Sequence, residues 1–328
     1  MIPATRRVAR ATRPGLPREV VEVVREEIRE PAPGHVLVRV AAAAVNHSEL
    51  LALRGGAYAE GLAFPVDLGY EGAGTVVAVA GGAGIEVGAR VCWGPAPGSC
   101  ADHVALPAAA LTRVPDDLDL TDAARLPSAG LTAHLLARVW PLRDRTAVVW
   151  GAAGPVGRIL TAVLAGAGTT VVGVASGSRV DEVRAIGAIH VVDRSSDDVA
   201  GAVRALTDGR GVDAVFDPVG AATYRASLDM LGFHGCLVNY GQLSGELPTV
   251  DLTELMDKGV FVTKFGGGGS GLDGLDMLRE LTAATLELAR RNPRLVADAG
   301  ERYRLDDAAV AYQRLRDGSG GKVVVVPD

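Results

Sequence analysis

The segment TAVVWGAAGPVGRILTAVLAGAG holds the densest chemistry in the chain. A strand-forming run ends at Trp150. Gly151-Ala152-Ala153-Gly154-Pro155-Val156-Gly157 then leads into an amphipathic stretch. This is a dinucleotide-binding turn of the G-x-G-x-x-G type, with Ala152 at the first glycine position and Gly154 and Gly157 at the other two. Gly154 lets the backbone approach a pyrophosphate, and Gly157 lets the helix pack tightly on the strand. The helix N-terminus, at Pro155 and Val156, offers free N–H groups and positive potential to the phosphates. A tight strand-to-helix turn without a ligand is the plain alternative. The next strand ends in Ala175-Ser176-Gly177-Ser178-Arg179. A site for NAD places Asp or Glu there for the ribose hydroxyls. None is present. Ser176 can hydrogen-bond a 2′-phosphate, and Arg179 can pair with it through a planar fork. The cofactor expected is therefore NADPH; a solvated arginine at a helix start is the competing reading.

The surrounding pattern supplies elements to position that turn. Up to about residue 115, short β-like runs (20–24, 36–43, 74–79, 90–93, 102–105) are punctuated by Gly and Pro, which reads as a compact, mostly β domain. Residues 120–139 read as helical. Strand and helix then alternate: 147–150, 155–166, 169–174, 180–186, 191–192, 198–206, 214–216, 223–231, 236–240 and 260–264. Apolar strands alternating with amphipathic helices imply a parallel sheet covered on both faces. Two helices (275–291 and 306–316) and a strand (322–326) close the chain. GGGGSG at 266–271 reads as a hinge or loop. The fold class is α/β: a mostly-β domain plus a doubly wound parallel sheet.

Composition narrows the functions. A net charge of −6 gives no support to a nucleic-acid-binding or membrane-surface role. The most apolar stretch, 159–175, is broken by Gly166, Gly168 and Gly173, so no span is expected. The basic N-terminus, MIPATRRVARATRPG, has no apolar segment behind it and reads as an ordinary first strand region, not a secretory signal. Cys92, Cys100 and Cys236 support neither a disulfide framework nor a CxxC metal site, and a cytoplasmic location is expected.

VNHSELLALRGGAY, DLGYEGAGTVVAVA, GSCADHVALP, LPSAGLTAHLLA, WGAAGPVG, VFDPVG, NYGQLSG and GKVVVVP follow one another over nearly the whole length. In that order and spacing the chain resembles the quinone oxidoreductase branch of the medium-chain dehydrogenase/reductase superfamily. The resemblance implies a GroES-like catalytic domain (1–118), a Rossmann NADP(H)-binding domain (119–265) and a C-terminal segment (266–328) that returns to the first, with the active site in a cleft between domains. Zinc alcohol dehydrogenases of the superfamily place Cys, His and Cys around the metal. The matching positions here are Asn46, Tyr70 and Ser128, and none offers a thiolate or imidazole. Glu71 and His47 survive nearby, too few for a firm site, so no metal is expected.

Without a Lewis acid, a simple alcohol or ketone is poorly activated, whereas a conjugated carbonyl accepts hydride at its β-carbon. The resemblance points the same way, to quinones and α,β-unsaturated ketones or thioesters. It also nominates the catalytic groups. Asn46 stands where the family has an Asn near nicotinamide ribose and substrate; it also suits a turn after a strand. Ser48 matches a hydroxyl relay, or caps the helix that follows. Tyr58, in RGGAY, stands where relatives carry a cleft Tyr. Tyr70, at a metal-ligand position, either donates a proton or hydrogen bond to an enolate, or packs in a Gly-rich loop. The Tyr that relatives have just after the Asn-x-x-acid segment is replaced by Leu51 and Ala52.

Further cofactor contacts follow from the resemblance: Thr132, Tyr240 and Gly241, and Lys322, which otherwise simply begins a C-terminal strand. His47 reads as structural. Relatives pair through a Rossmann edge strand, here 259–265, so a homodimer is implied. Two alternatives stay open: a zinc-independent alcohol or ketone oxidoreductase, and a redox-neutral cyclase or isomerase-like tailoring enzyme on the same fold. Substrate identity is left to the variable regions 55–64 and 241–253.

Overall fold

The computed structural model describes residues 3–56, 59–195, 198–266, 273–297, 300–318 and 321–327. The chain folds as two units, Met1–Ser128 with Asp273–Asp328, and Ala129–Leu272. The first contains β1 (Thr5–Ala11), α1 (Pro17–Val20), β2 (Val21–Glu27), β3 (His35–Ala44), α2 (His47–Arg54), β4 (Val66–Asp67), β5 (Glu71–Val79), β6 (Arg90–Trp93), β7 (His103–Pro107), β8 (Thr112–Arg113) and α3 (Leu120–Ala123). Helix α4 (Pro127–Leu136) leads into the second unit. There lie β9 (Thr146–Trp150), α5 (Pro155–Gly166), β10 (Thr170–Ala175), α6 (Val180–Ala185), β11 (His190–Asp193), α7 (Val199–Leu206), β12 (Val212–Asp217), α8 (Tyr224–Met230), β13 (Leu231–Asn239) and β14 (Phe261–Lys264). The chain then adds α9 (Gly274–Arg291), β15 (Arg302–Arg304), α10 (Ala308–Arg316) and β16 (Val324–Val326) to the first unit.

In the first unit, β1 is flanked by β2 and β4, and a larger sheet runs β15-β16-β3-β5-β6-β8 with β7 also on β3. Val36, Val38, Val76, Val91 and Val104 from these strands are buried together with Leu305, Tyr312, Leu315 and Val325 of the C-terminal segment. That segment is thus part of this core. It also pairs in register, Val324 with Ala44 and Val325 with Ala43. The exchange sets residues 322–323 beside the end of β3.

The second unit's sheet has the order β11-β10-β9-β12-β13-β14, and every pairing is parallel. In sequence terms this is 3-2-1-4-5-6, with the strand order reversing between β9 and β12, where open α/β sheets bind ligands at the carboxyl ends of the strands. The run Ala147-Val148-Val149-Trp150 is buried because helices cover both faces. Helix α5 buries Ile159, Leu160 and Leu164 along one stripe.

Two expectations change. The stretch read as helical over 120–139 is broken into two helices: α3 stops at Ala123, and α4 runs from Pro127 to Leu136. Proline fits a first helical turn but has no N–H to continue one. Because α3 packs on β3, β5 and β6, the first unit runs to Ser128 and not to 118, and the second ends at Leu272 and not at 265. Of the glycine-rich run 266–271, all but Gly266 lies outside the described residues.

Candidate active site

In the second unit, four loops meet at the carboxyl ends of the strands. The turn after β9 depends on two glycines. Gly151 takes φ 61°, a left-handed conformation that only glycine adopts freely. The tight turn falls on it, one residue before the expected position at Ala152, which is instead fully buried and donates its N–H to Val174 O at 3.1 Å. At Gly157 a Cβ would stand 2.2 Å from Gly151 O and 2.8 Å from Ala152 Cα, so α5 approaches the strand end only because the residue is glycine. Gly154 precedes the helix and Pro155 opens it, leaving the N–H groups of Val156 and Gly157 in the first turn, where no intrahelical acceptor exists.

The Ala153 carbonyl in this turn accepts from two guanidinium groups, Arg158 Nε at 2.9 Å and Arg179 Nη2 at 2.7 Å. Arg158 is 4% exposed and ion-pairs with Glu182, which also lies 3.7 Å from Arg179. Arg179 is therefore docked beside the phosphate turn and not simply solvated. Ser176 follows β10, and its Oγ accepts from Arg194 Nε at 3.4 Å. Asp193, at the end of β11, accepts the Gly177 N–H at 3.2 Å. Neither Arg194 nor Asp193 stands out in the sequence, because they lie at the end of the third strand and meet Ser176 and Gly177 only through sheet pairing.

On the other side of the switch point, Asp217 ends β12. It is 1% exposed, and its carboxylate accepts from Val219 N (2.7 Å), Thr223 Oγ1 (2.7 Å) and Ser227 Oγ (3.0 Å), which fixes the DPVG loop. Tyr240 and Gly241 follow β13; the Tyr240 N–H donates to Asp217 O at 2.9 Å, and Gly241 backs onto Pro218. Burial raises the Tyr240 phenol pKa well above its ordinary value, with Asp217 adding to the effect. Asn239 Oδ1 is buried and has no partner among the described residues. Thr132 is half-buried on α4.

In the first unit, Asn46 joins β3 to α2 and forms a capping box with Glu49, whose Oε1 accepts the Asn46 N–H at 3.0 Å. The cap is thus Asn46 and not Ser48, which is exposed two residues later. Lys322 donates to Asn46 Oδ1, and its Nζ lies 2.7 Å from Glu71 Oε1. Glu71 Oε2 accepts the Ser128 N–H at 2.7 Å. Of the positions matched to metal ligands, Asn46 touches the ammonium directly and Ser128 is joined to it through Glu71. Tyr70 is half-buried; burial raises its pKa and the nearby Glu49 charge adds to this, so the phenol keeps its proton at neutral pH. Tyr58 lies outside the described residues.

Glu49 is 1% exposed and accepts from Gly69 N at 2.7 Å and from Tyr312 Oη of α10. Burial pushes its pKa from 4.5 to about 7, outweighing those hydrogen bonds and the Lys322 charge. Between these values the folded chain holds a proton that the unfolded chain has released. Stability therefore falls as pH rises, and about 3 kcal/mol available below pH ~4.5 is gone above pH ~7. Denaturant midpoints measured from pH 4.5 to 8 should show this component in the wild type and lose it in Glu49→Gln. Parallel curves for the two proteins would refute it.

Among known proteins, the alcohol dehydrogenase GroES-like domain matches residues 32–116, and the zinc-binding dehydrogenase family matches residues 155–283. The quinone oxidoreductase of Pseudomonas aeruginosa is 32% identical over 316 residues, 94% of this chain and 96% of that protein. The chain belongs to the quinone oxidoreductase family. Another relative is the 2-haloacrylate reductase of a Burkholderia species, 34% identical over 73% of this chain and 75% of that protein. A mycobacterial protein solved in complex with NADPH is 33% identical, with a TM-score of 0.85 over 98% of this chain and all of its own. The GroES-like and Rossmann architecture read from the sequence is thus that of the quinone oxidoreductases.

Proposed function

We propose that the protein is an NADPH-dependent reductase of conjugated carbonyl compounds, quinones or α,β-unsaturated ketones and thioesters, that works without zinc. The observation that carries this reading is the basic end of β10: Ser176, Arg179 and Arg194 around a strand end that has no ribose-binding acid of its own. The glycine turn fits a pyrophosphate, since any side chain at Gly157 would force α5 off the strand end or open the turn. The relatives named a quinone oxidoreductase and a 2-haloacrylate reductase, and the NADPH complex of a third, support the cofactor and the reaction class.

Gly154, Val156 and Gly157 would hold the pyrophosphate, Ser176 and Arg179 the 2′-phosphate, and Tyr240 and Gly241 the nicotinamide end, with Thr132 as a further contact. NADPH bound there supplies a hydride to the β-carbon of the acceptor. The chain's own task is then to stabilise negative charge on the carbonyl oxygen and deliver a proton to the α-carbon. Asn46 offers an amide N–H, Tyr70 a protonated phenol, and Ser48 an exposed hydroxyl; Tyr58 belongs to the same set by sequence. Zinc has no place in this reading because Asn46, Tyr70 and Ser128 present an amide, a phenol and a hydroxyl, and the carboxylate beside them is paired with Lys322. A second copy of the chain would pair along β14, an edge strand whose Phe261 is exposed, as is Phe233 on the neighbouring β13. Sedimentation showing a monomer would refute the dimer. The described residues contain no helix long and apolar enough to cross a membrane, and the free, buried cysteines suit a reducing cytoplasm.

The test is NADPH oxidation against quinones, short enones and an enoyl thioester, with a matched panel of alcohols and ketones. Turnover with a conjugated acceptor supports the reading; turnover confined to simple ketones overturns it. Two variants sharpen the result. Arg179→Ala should raise KM for NADPH by about tenfold or more, as expected for a lost charge-assisted pair, and leave KM for NADH unchanged. Tyr70→Phe should lower kcat about tenfold or more with NADPH affinity intact, and near-normal turnover would remove Tyr70 from the mechanism.

A further inference from the structure

Lys322 does not behave as a surface lysine. Its side chain is 11% exposed, and the Glu71 side chain beside its Nζ is 0% exposed. Three distant stretches of chain meet at this ammonium: the loop between β3 and α2, the start of β5, and the residues leading into β16. Each is fixed on its own account. The Val45 N–H donates to Val323 O at 3.0 Å, Glu71 Oε2 accepts from Ser128 N at 2.7 Å, and Asn46 caps α2. Taking an ammonium and a carboxylate out of water costs several kcal/mol each, and an apolar pair of similar volume often stabilises a fold as well. Stability alone therefore does not account for the pair, and its third partner, Asn46, does.

An ammonium only donates hydrogen bonds. It dictates which end of the Asn46 amide it meets: Oδ1 faces Nζ, so Nδ2 is turned away. Nδ2 has one long contact, 3.4 Å to Ala44 O. The amide is left presenting N–H to any group brought against it, and the ammonium polarises that N–H further. Glu71 meanwhile neutralises the lysine, so the pair offers little net attraction to a phosphate.

The geometry points to Lys322 as a positioning residue. Ion-paired to Glu71, it locks the Asn46 amide with its N–H groups available to the reacting carbonyl, and it is not a phosphate ligand. This rests on the reductase reading above, and two readouts keep the two claims apart.

The first readout is a double-mutant cycle on enone turnover. Lys322→Met should lower kcat about tenfold or more, as expected for a misaligned charge-stabilising donor, with KM for NADPH changed less than about twofold. In an Asn46→Ala background the same change should have no further effect. The Glu71→Gln/Lys322→Met double variant removes both charges and leaves none stranded, so it should fold and show the same loss. Equal losses from Lys322→Met in both backgrounds, or a raised KM for NADPH at unchanged kcat, would overturn the proposal.

The second readout needs no turnover. The chain has three asparagines, Asn46, Asn239 and Asn292, so 15N-asparagine labelling gives three side-chain amide pairs, with Asn46→Ala assigning one. The Asn46 pair should shift in both Lys322→Met and the double variant. An unmoved pair sinks the positioning role whatever the acceptor panel shows, and a silent panel with a shifted pair sinks the reductase reading alone.

Discussion

Gly157→Ala should weaken NADPH binding by about a hundredfold or more. The added Cβ would lie 2.2 Å from Gly151 O and 2.8 Å from Ala152 Cα, and both are backbone atoms that no rotamer change can move aside. Either α5 lifts from the end of β9 or the turn opens; in both cases Gly154, Val156 and Gly157 leave the positions from which their N–H groups converge. Overpacking of this kind costs about 1–3 kcal/mol and sometimes more, and each 1.4 kcal/mol is about tenfold in affinity. Gly166 is the control. It lies in the same helix, and a Cβ added there would meet nothing within 4 Å, so Gly166→Ala should bind NADPH normally and gain up to ~1 kcal/mol of helix propensity. Fluorescence titration of both variants checks the contrast. Equal affinities would mean that the turn does not hold the cofactor.

The second large effect concerns stability. Glu71→Ala strands the ammonium of Lys322 in a site it cannot leave, because residues 322–323 are pinned beside β3. It also deprives the Ser128 N–H of its acceptor. Breaking a buried pair from one side costs about 3–5 kcal/mol. At 2–4 °C per kcal/mol for larger domains, melting should fall by on the order of 10 °C. Thermal unfolding followed by circular dichroism reads this directly. The Glu71→Gln/Lys322→Met double variant should recover much of the loss, and failure to recover would mean that the Glu71 contact with the Ser128 backbone matters more than the charge.

The elements carried by local pattern are legible in the sequence. Helix α5 occupies 155–166 as its periodicity predicts, and strands β9 to β14 fall where apolar runs lie between turn signals. The break within the helical stretch 120–139 is not legible from its period, because the apolar spacing continues through Pro127 and helical period says nothing of where an N–H is missing. Gly151 is visible as a glycine, but the convention of counting from Ala152 hides its positive φ. Arg158 looks like a surface residue of an amphipathic helix, yet it is buried under the turn it supports. Glu49 is hidden in the same way. Its signal is the Asn46-x-x-Glu49 capping spacing, which implies a carboxylate turned back toward the loop. The Asn46–Lys322 contact spans 276 positions, and no local rule connects such residues. The resemblance brings Lys322 into view, and only the sheet pairing of β16 with β3 shows what it touches.

That pairing also sets a timetable. A ribosome delivers the second unit, Ala129–Leu272, as one uninterrupted stretch that can finish its sheet while synthesis continues. The first unit has no such privilege. For as long as residues 273–326 are still being made, β3 lacks its β16 neighbour at Ala43 and Ala44, and Glu49 and Glu71 lack Tyr312 and Lys322. The part of the molecule translated earliest thus matures last, with an open strand edge exposed to chaperones and neighbouring nascent chains until the final strand emerges.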